Sequence, residues 1–113
     1  MAESGLLLGW DRVVPGRDVQ AVALWREMGL YLKKLHAEGR IAGFESVMLG
    51  AYGGKLNGFL LIKGERHQLD AIRNSTEFQI LVVRANKNLL GFCSLRAHMG
   101  GAFTKLLDLY ATA

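Results

Sequence analysis

Residues Gly58–Gln79 read GFLLIKGERHQLDAIRNSTEFQ, and this stretch decides the fold. Phe59, Leu60, Leu61 and Ile62 form a short apolar run that stops at Gly64, which predicts a strand. In the following ERHQLDAIRN, Leu69 and Ile72 stand three apart, the spacing of a short helix with one inward face. Asn74 and Ser75 then restart the chain as a second helical segment, with Glu77 positioned for a capping box. Phe78, Leu81, Val82 and Ala85 supply its predicted buried stripe.

The flanking sequence extends the pattern. Upstream, GLLLGWDRVV is an apolar run ending at Pro15–Gly16, and it predicts the first strand. RDVQAVALWREMGLYLKKLHAEG follows. Val22, Trp25, Gly29, Leu32 and His36 keep helical spacing, Asp18 is the expected cap and Gly39 the stop. RIAGFESVMLGAY is strand-like, and GGKLNG turns it into LNGFLLIKG as a hairpin. Downstream, NLLGFCSLRAHM predicts a fourth strand. GGAFTKLLDLYATA predicts a last helix with Phe103, Leu106, Leu107 and Tyr110 on one stripe.

The order strand–helix–strand–strand–helix–strand, plus a final helix, predicts one domain over residues 1–113. Its class is α+β, a ferredoxin-like split βαβ with a four-stranded antiparallel sheet. Helices cover one face. The other face, expected to carry Trp10, Phe59 and Phe92, needs a second copy of the chain to cover it.

The stretch GFLLIKGERHQLDAIRNSTEF resembles the third strand and broken helix of the dimeric α/β-barrel superfamily. That superfamily includes the antibiotic-biosynthesis monooxygenase-like, EthD-like and stress-responsive A/B barrel families. The resemblance covers nearly the whole chain as topology, but none of the quoted residues is chemically diagnostic. It implies a homodimeric α/β barrel with pockets between sheet and helices or between sheets. The superfamily spans cofactor-free oxygenases, haem-degrading enzymes, decarboxylases and members without known activity, so the fold leaves the reaction open.

Composition narrows the field. Of 113 residues, 14 are Lys or Arg and 10 are Asp or Glu, for a net charge of +4. The basic residues are scattered, and Lys33–Lys34 is their one adjacent pair, which argues against a nucleic-acid partner. A single cysteine, Cys93, rules out an intramolecular disulfide and fits a reducing compartment. The start MAESGLLLGW is too short and too acidic for a signal peptide, and no stretch reaches the length of a membrane span. The expectation is a cytoplasmic protein with no membrane partner.

Two sets of side chains are candidates for chemistry. Arg96 and His98 share a face of the fourth strand with Phe92 and Ser94, while Cys93, Leu95 and Ala97 are expected to face the helices. Trp10 and Arg12 fall on the neighbouring first strand. Together Trp10, Arg12, Phe59, Phe92 and Arg96 are the candidate ligand-binding set, suited to a flat acidic molecule. His98 is the candidate proton carrier, and Glu45, a lone carboxylate in AGFESVML, the candidate base. The plainer alternatives are ion pairs, core packing and solvated strand ends. His36 reads as a core or boundary residue, and His67 carries no assignment.

Other motifs carry less. HMGGAF reads as a tight turn rather than an anion nest. GAYGGK lacks the spacing and the following helix of a phosphate loop. Neither metal-ligand spacing nor a nucleophile elbow occurs, and Asn57, Trp10 and His98 do not match haem-degrader patterns. The expected function is therefore binding or converting a small aromatic or conjugated acid without metal or bound cofactor. If the chain is an enzyme, the expected activity is monooxygenase-like, isomerase or lyase. The alternative is a structural or interaction dimer with a filled interior. It differs in whether Trp10, Phe59 and Phe92 leave a hole.

Overall fold

The computed structural model describes residues 4–113, so the acidic start at Glu3 lies outside it. The elements run β1 Ser4–Trp10, β2 Arg12–Val13, α1 Asp18–Ala37, β3 Gly43–Met48, β4 Gly58–Gly64, α2 Arg66–Arg73, α3 Thr76–Asn88, β5 Leu89–Leu90, β6 Cys93–His98 and α4 Gly101–Thr112. The main sheet has the order β3-β4-β1-β6, with every neighbouring pair antiparallel. This is the ferredoxin-like arrangement expected from the sequence.

The stretch Gly58–Gln79 folds as predicted, because its signals are local. β4 stops at Gly64. Glu65 and Gln68 form a reciprocal capping box at the start of α2. Ser75 caps α3 by accepting a hydrogen bond from Phe78 N at 3.3 Å. Glu77 is only the second residue of α3, so the capping box expected there forms at α2 instead.

The first and last predicted strands each break in two. β1 bends at Asp11 and continues as β2; β5 turns at Gly91 and continues as β6. β2 and β5 pair with each other as a separate ribbon. Gly91 has φ +65°, and a Cβ there would lie 3.1 Å from Asp11 Cβ, so the two bends fit together only around a glycine.

Helix α1 buries Ala21, Leu24, Met28, Leu32 and Leu35. The predicted stripe ran one position further round. α1 is apolar on several sides, with Val19 81% and Leu30 67% exposed, so periodicity alone does not set its rotation. His36 is exposed, not a boundary residue. Arg17 precedes the helix in place of Asp18, and Asp18 sits in the first turn, where its charge suits the helix dipole.

The core lies between α1–α3 and one sheet face. Leu6, Leu8, Trp10, Leu60 and Ile62 meet Leu24, Leu32, Leu69, Ile72, Phe78 and Leu81 there. Registers Leu8–Ser94, Leu6–Arg96 and Ser4–His98 put Ser94, Arg96 and His98 on that same face. Cys93, Leu95 and Ala97 therefore point away from the helices, opposite to expectation. Phe59, opposite Gly9, joins them on the open face, while Trp10 lies under the helices. Phe92 precedes β6 and packs against the core.

The open face carries Leu7, Val47, Phe59, Leu61, Cys93, Leu95 and Ala97, interrupted by Glu45 and Lys63. α4 buries none of its residues; Phe103 is 54% and Tyr110 82% exposed. The radius of gyration, 15.0 Å, exceeds the roughly 13 Å of a compact chain this long.

Asn88 is a buried polar residue that ties the ribbon to the helices. Its Oδ1 accepts from Arg17 Nε at 2.9 Å, its Nδ2 donates to Arg84 O at 2.8 Å, and its carbonyl accepts from Val14 N at 2.8 Å. Asn88→Ala removes the acceptor and should lower unfolding free energy by about 1–3 kcal/mol. Asn86→Ala, at an exposed position of the same helix, should stay within about 0.5 kcal/mol in urea denaturation. Equal effects would show that Asn88 is not such a tie.

Candidate functional site

The most developed site is built on two tryptophans. Trp10 closes β1 and is 5% exposed. Its register partner is Gly58, and a Cβ at Gly58 would lie 2.5 Å from the Trp10 ring. The indole thus occupies the space that any other residue at 58 would need. Trp25, half-buried at the edge of the α1 stripe, packs on it with ring centroids 5.3 Å apart and planes tilted by 37°. Trp25 Nε1 is buried and has no acceptor among the described residues.

A cleft opens around this pair because β3 is the sheet edge and the helices do not reach its end. Ser46 and Met48 on its helix side stay exposed, Met48 at 65%. One part, about 290 Å³, runs between Trp10, Trp25, Arg26, Ser46, Met48 and Leu60. The other, about 600 Å³, lies between the tryptophans, Arg12, Met48, Lys55 and Asn57 under the loop joining β3 to β4. The two share Trp10, Trp25 and Met48.

Asn57 latches that loop. Its backbone N–H donates to Trp10 O at 2.9 Å, and its Nδ2 donates to Asp11 Oδ1 at 2.8 Å and to Gly54 O at 3.1 Å. Tyr52 Oη donates to Leu56 O at 2.8 Å and stiffens the tip. Asp11 is thereby held by Asn57, with Arg12 Nε 4.0 Å from its other oxygen. The cations left on the rim are Arg12, whose side chain is 75% exposed, with Arg26 and Lys55. The cleft therefore combines indole surface with a positive bias, which favours flat anions.

Of the residues singled out from the sequence, the structure brings Trp10 and Arg12 together here. Phe59 lies through the sheet on the open face, and Phe92 contributes to the core. Arg96 shares Trp10's face but stands opposite Leu6, about 13 Å along the strand, and His98 opposite Ser4, about 20 Å along. Trp10 and Arg12 therefore do not share a pocket wall with Arg96 and His98. Glu45 is not a lone carboxylate: Lys63 Nζ lies 3.3 Å from it on the open face.

Trp25, Met48, Lys55 and Asn57 line the cleft without having been singled out as ligand contacts. The sequence pattern puts Trp25 on a core stripe and Asn57 in a turn, because the partner of Asn57, Asp11, is remote in sequence.

A second cluster occupies the opposite end of the helix-side face. Arg96 Nη2 lies 3.5 Å from Asp70 Oδ1 of α2, beside Arg66 and Arg73. Among the described residues, no group of three or more His, Cys, Asp or Glu is placed to hold a metal ion. No described helix is long and apolar enough to cross a membrane.

No protein-family model and no curated protein matches the chain. Among solved structures, the chain is similar to a dimeric protein of unknown function with a ferredoxin-like fold from Bacteroides fragilis NCTC 9343. The two share 8% identity at a TM-score of 0.63 over 88% of this chain and 98% of that one. At that identity the likeness concerns the fold alone.

Gly58→Ala should push Trp10 off its seat, change the tryptophan emission and cost about 1–3 kcal/mol, as overpacking does. Gly50→Ala, where a Cβ meets nothing within 4 Å, should change neither. Unchanged emission in Gly58→Ala would show that the glycine does not set the pair.

Proposed function

We propose that the chain is one half of a homodimeric α/β barrel and binds a planar organic acid in the cleft at Trp10 and Trp25. The observation that carries the binding reading is the tilted indole pair at the junction of an open cleft rimmed by Arg12, Arg26 and Lys55. An aromatic or conjugated ring gains stacking area against the tryptophans. A carboxylate gains the rim cations, and an acceptor placed beside Trp25 meets the unpartnered Nε1. Among the described residues, the acid lining the cleft, Asp11, is already engaged by Asn57 and Arg12, and no histidine or cysteine lines it. This favours binding over turnover.

Dimerisation is supported by the apolar open face, by α4 without buried residues, and by a dimeric neighbour of the same fold. The accessible surface of 7105 Å² exceeds the roughly 6,100 Å² of a folded monomer of 12.4 kDa. That excess is about what one partner buries in a standard interface, roughly 800 Å². In such a dimer Leu7, Phe59, Leu61 and Leu95 point into the barrel, and the ligand cleft lies outside it, between sheet and α1.

The test is titration with 2-naphthoate and, as a neutral match, 2-naphthamide, followed by tryptophan emission and thermal shift. The acid should quench emission and raise Tm more than the amide. Trp25→Leu should abolish the quench. Arg12→Ala should weaken the acid roughly two- to fivefold, the effect of a solvent-screened charge. Equal response to acid and amide, or full affinity in Arg12→Ala, would contradict the reading.

A further inference from the structure

The three arginines beside Asp70 have no part in the tryptophan cleft. On α2, Arg66, Asp70 and Arg73 stand at i, i+4 and i+7, so the carboxylate lies between two guanidinium groups on one helix face. Arg96 reaches the same carboxylate from β6 across the sheet edge, at 3.5 Å. Arg73 Nη2 also donates to Ser94 O at 3.4 Å, which aims it toward β6. Among the described residues, neither Arg66 nor Arg73 has a carboxylate within ion-pairing distance. Among the described residues, three cations thus share one acid, leaving a formal excess of two positive charges there.

The side chains border a small cavity of about 10 Å³ that Ser4, Gly5, Leu6 and Leu69 also line. That is room for about one water-sized atom. Arg96 and Asp70 are 41% and 46% exposed in their side chains, so solutes reach the rim. A purely structural pair needs one arginine. A surplus of planar, forked donors around an oxygen-sized hollow suits a tetrahedral oxyanion with one oxygen inside and the others on the rim. A phosphate monoester, at about −1.5 to −2 charges near neutral pH, matches the excess.

We propose that Arg66, Arg73 and Arg96 form an anion site for a phosphate monoester group, with Asp70 as an internal competitor that occupies Arg96 when the site is empty. The site is independent of the cleft at Trp10 and Trp25 and of any ligand there.

The competitor gives the proposal its test. Binding of inorganic phosphate is measured by ³¹P line broadening and calorimetry at constant ionic strength, with chloride as reference, and with glycerol 3-phosphate and a single-stranded oligonucleotide as further arms. Inorganic phosphate and glycerol 3-phosphate should both bind to the parent protein. Arg73→Gln and Arg96→Gln should each weaken phosphate at least fivefold, and Lys34→Gln on α1 should leave it unchanged. Asp70→Asn should tighten phosphate at least threefold, because it frees Arg96 while keeping the side-chain shape. Circular dichroism checks the fold of each variant. If Asp70→Asn weakens or does not change phosphate binding, the arginines serve only to hold Asp70, and the proposal fails. It also fails if the oligonucleotide binds and the monoesters do not. Glycerol 3-phosphate binding without inorganic phosphate would overturn it too, since recognition would then lie in the organic part.

Discussion

One layer of helices covers one face of a four-stranded sheet, and this sheet is apolar on both. Leu6, Leu8, Leu60 and Ile62 meet α1–α3, while Leu7, Val47, Phe59, Leu61 and Leu95 face the other way with no helix of their own chain over them. The polar members of β6, Ser94, Arg96 and His98, are turned toward the helix side, at the margin of the helical layer. That distribution is unfavourable for an isolated monomer, because it leaves a contiguous apolar surface in water. It suits a protein whose second face is also an interior. α4, apolar along Phe103, Leu106, Leu107 and Tyr110, likewise buries none of its residues within its own chain.

The same geometry creates the cleft. The order β3-β4-β1-β6 leaves β3 at an edge that α1 only partly overhangs. Trp10 can lie flat at the end of β1 because Gly58 beside it has no side chain, and Trp25 closes over it from α1. Asn57 then ties the β3–β4 loop to both Trp10 and Asp11. A loop held by three hydrogen bonds at one residue gives the cleft a fixed wall, which lowers the ordering cost of any ligand that enters. The open apolar face and the cleft at the tryptophans are thus on opposite sides of the sheet.

Much of this architecture was legible in the sequence, and what was legible is local. Gly64, Ser75 and Gly39 mark their element boundaries through backbone chemistry that needs no partner. What escaped was phase. α1 offers two apolar stripes one residue apart, and only tertiary packing into the core selects Ala21–Leu24–Met28. The strands are apolar on both faces, so alternation did not reveal which side the helices take, and Arg96 and His98 were read onto the wrong one. Register decided the rest. Phe59 pairs with Gly9, not Trp10, which separates two aromatics that looked like neighbours. The ion pairs Glu45–Lys63 and Arg96–Asp70 join residues whose meeting depends on that register, so Glu45 looked solitary. The cleft was half visible, through Trp10 and Arg12. Asn57 and Lys55 became visible only once the loop was closed.

The central claim is that the open sheet face is an interior shared by two copies. Light scattering coupled to size-exclusion chromatography, run on the intact chain at micromolar concentration, addresses it directly. The account predicts a single species of about twice 12.4 kDa that persists on dilution through the column. A species of 12.4 kDa that remains soluble and folded would contradict it, because the apolar face and α4 would then be stable in water alone.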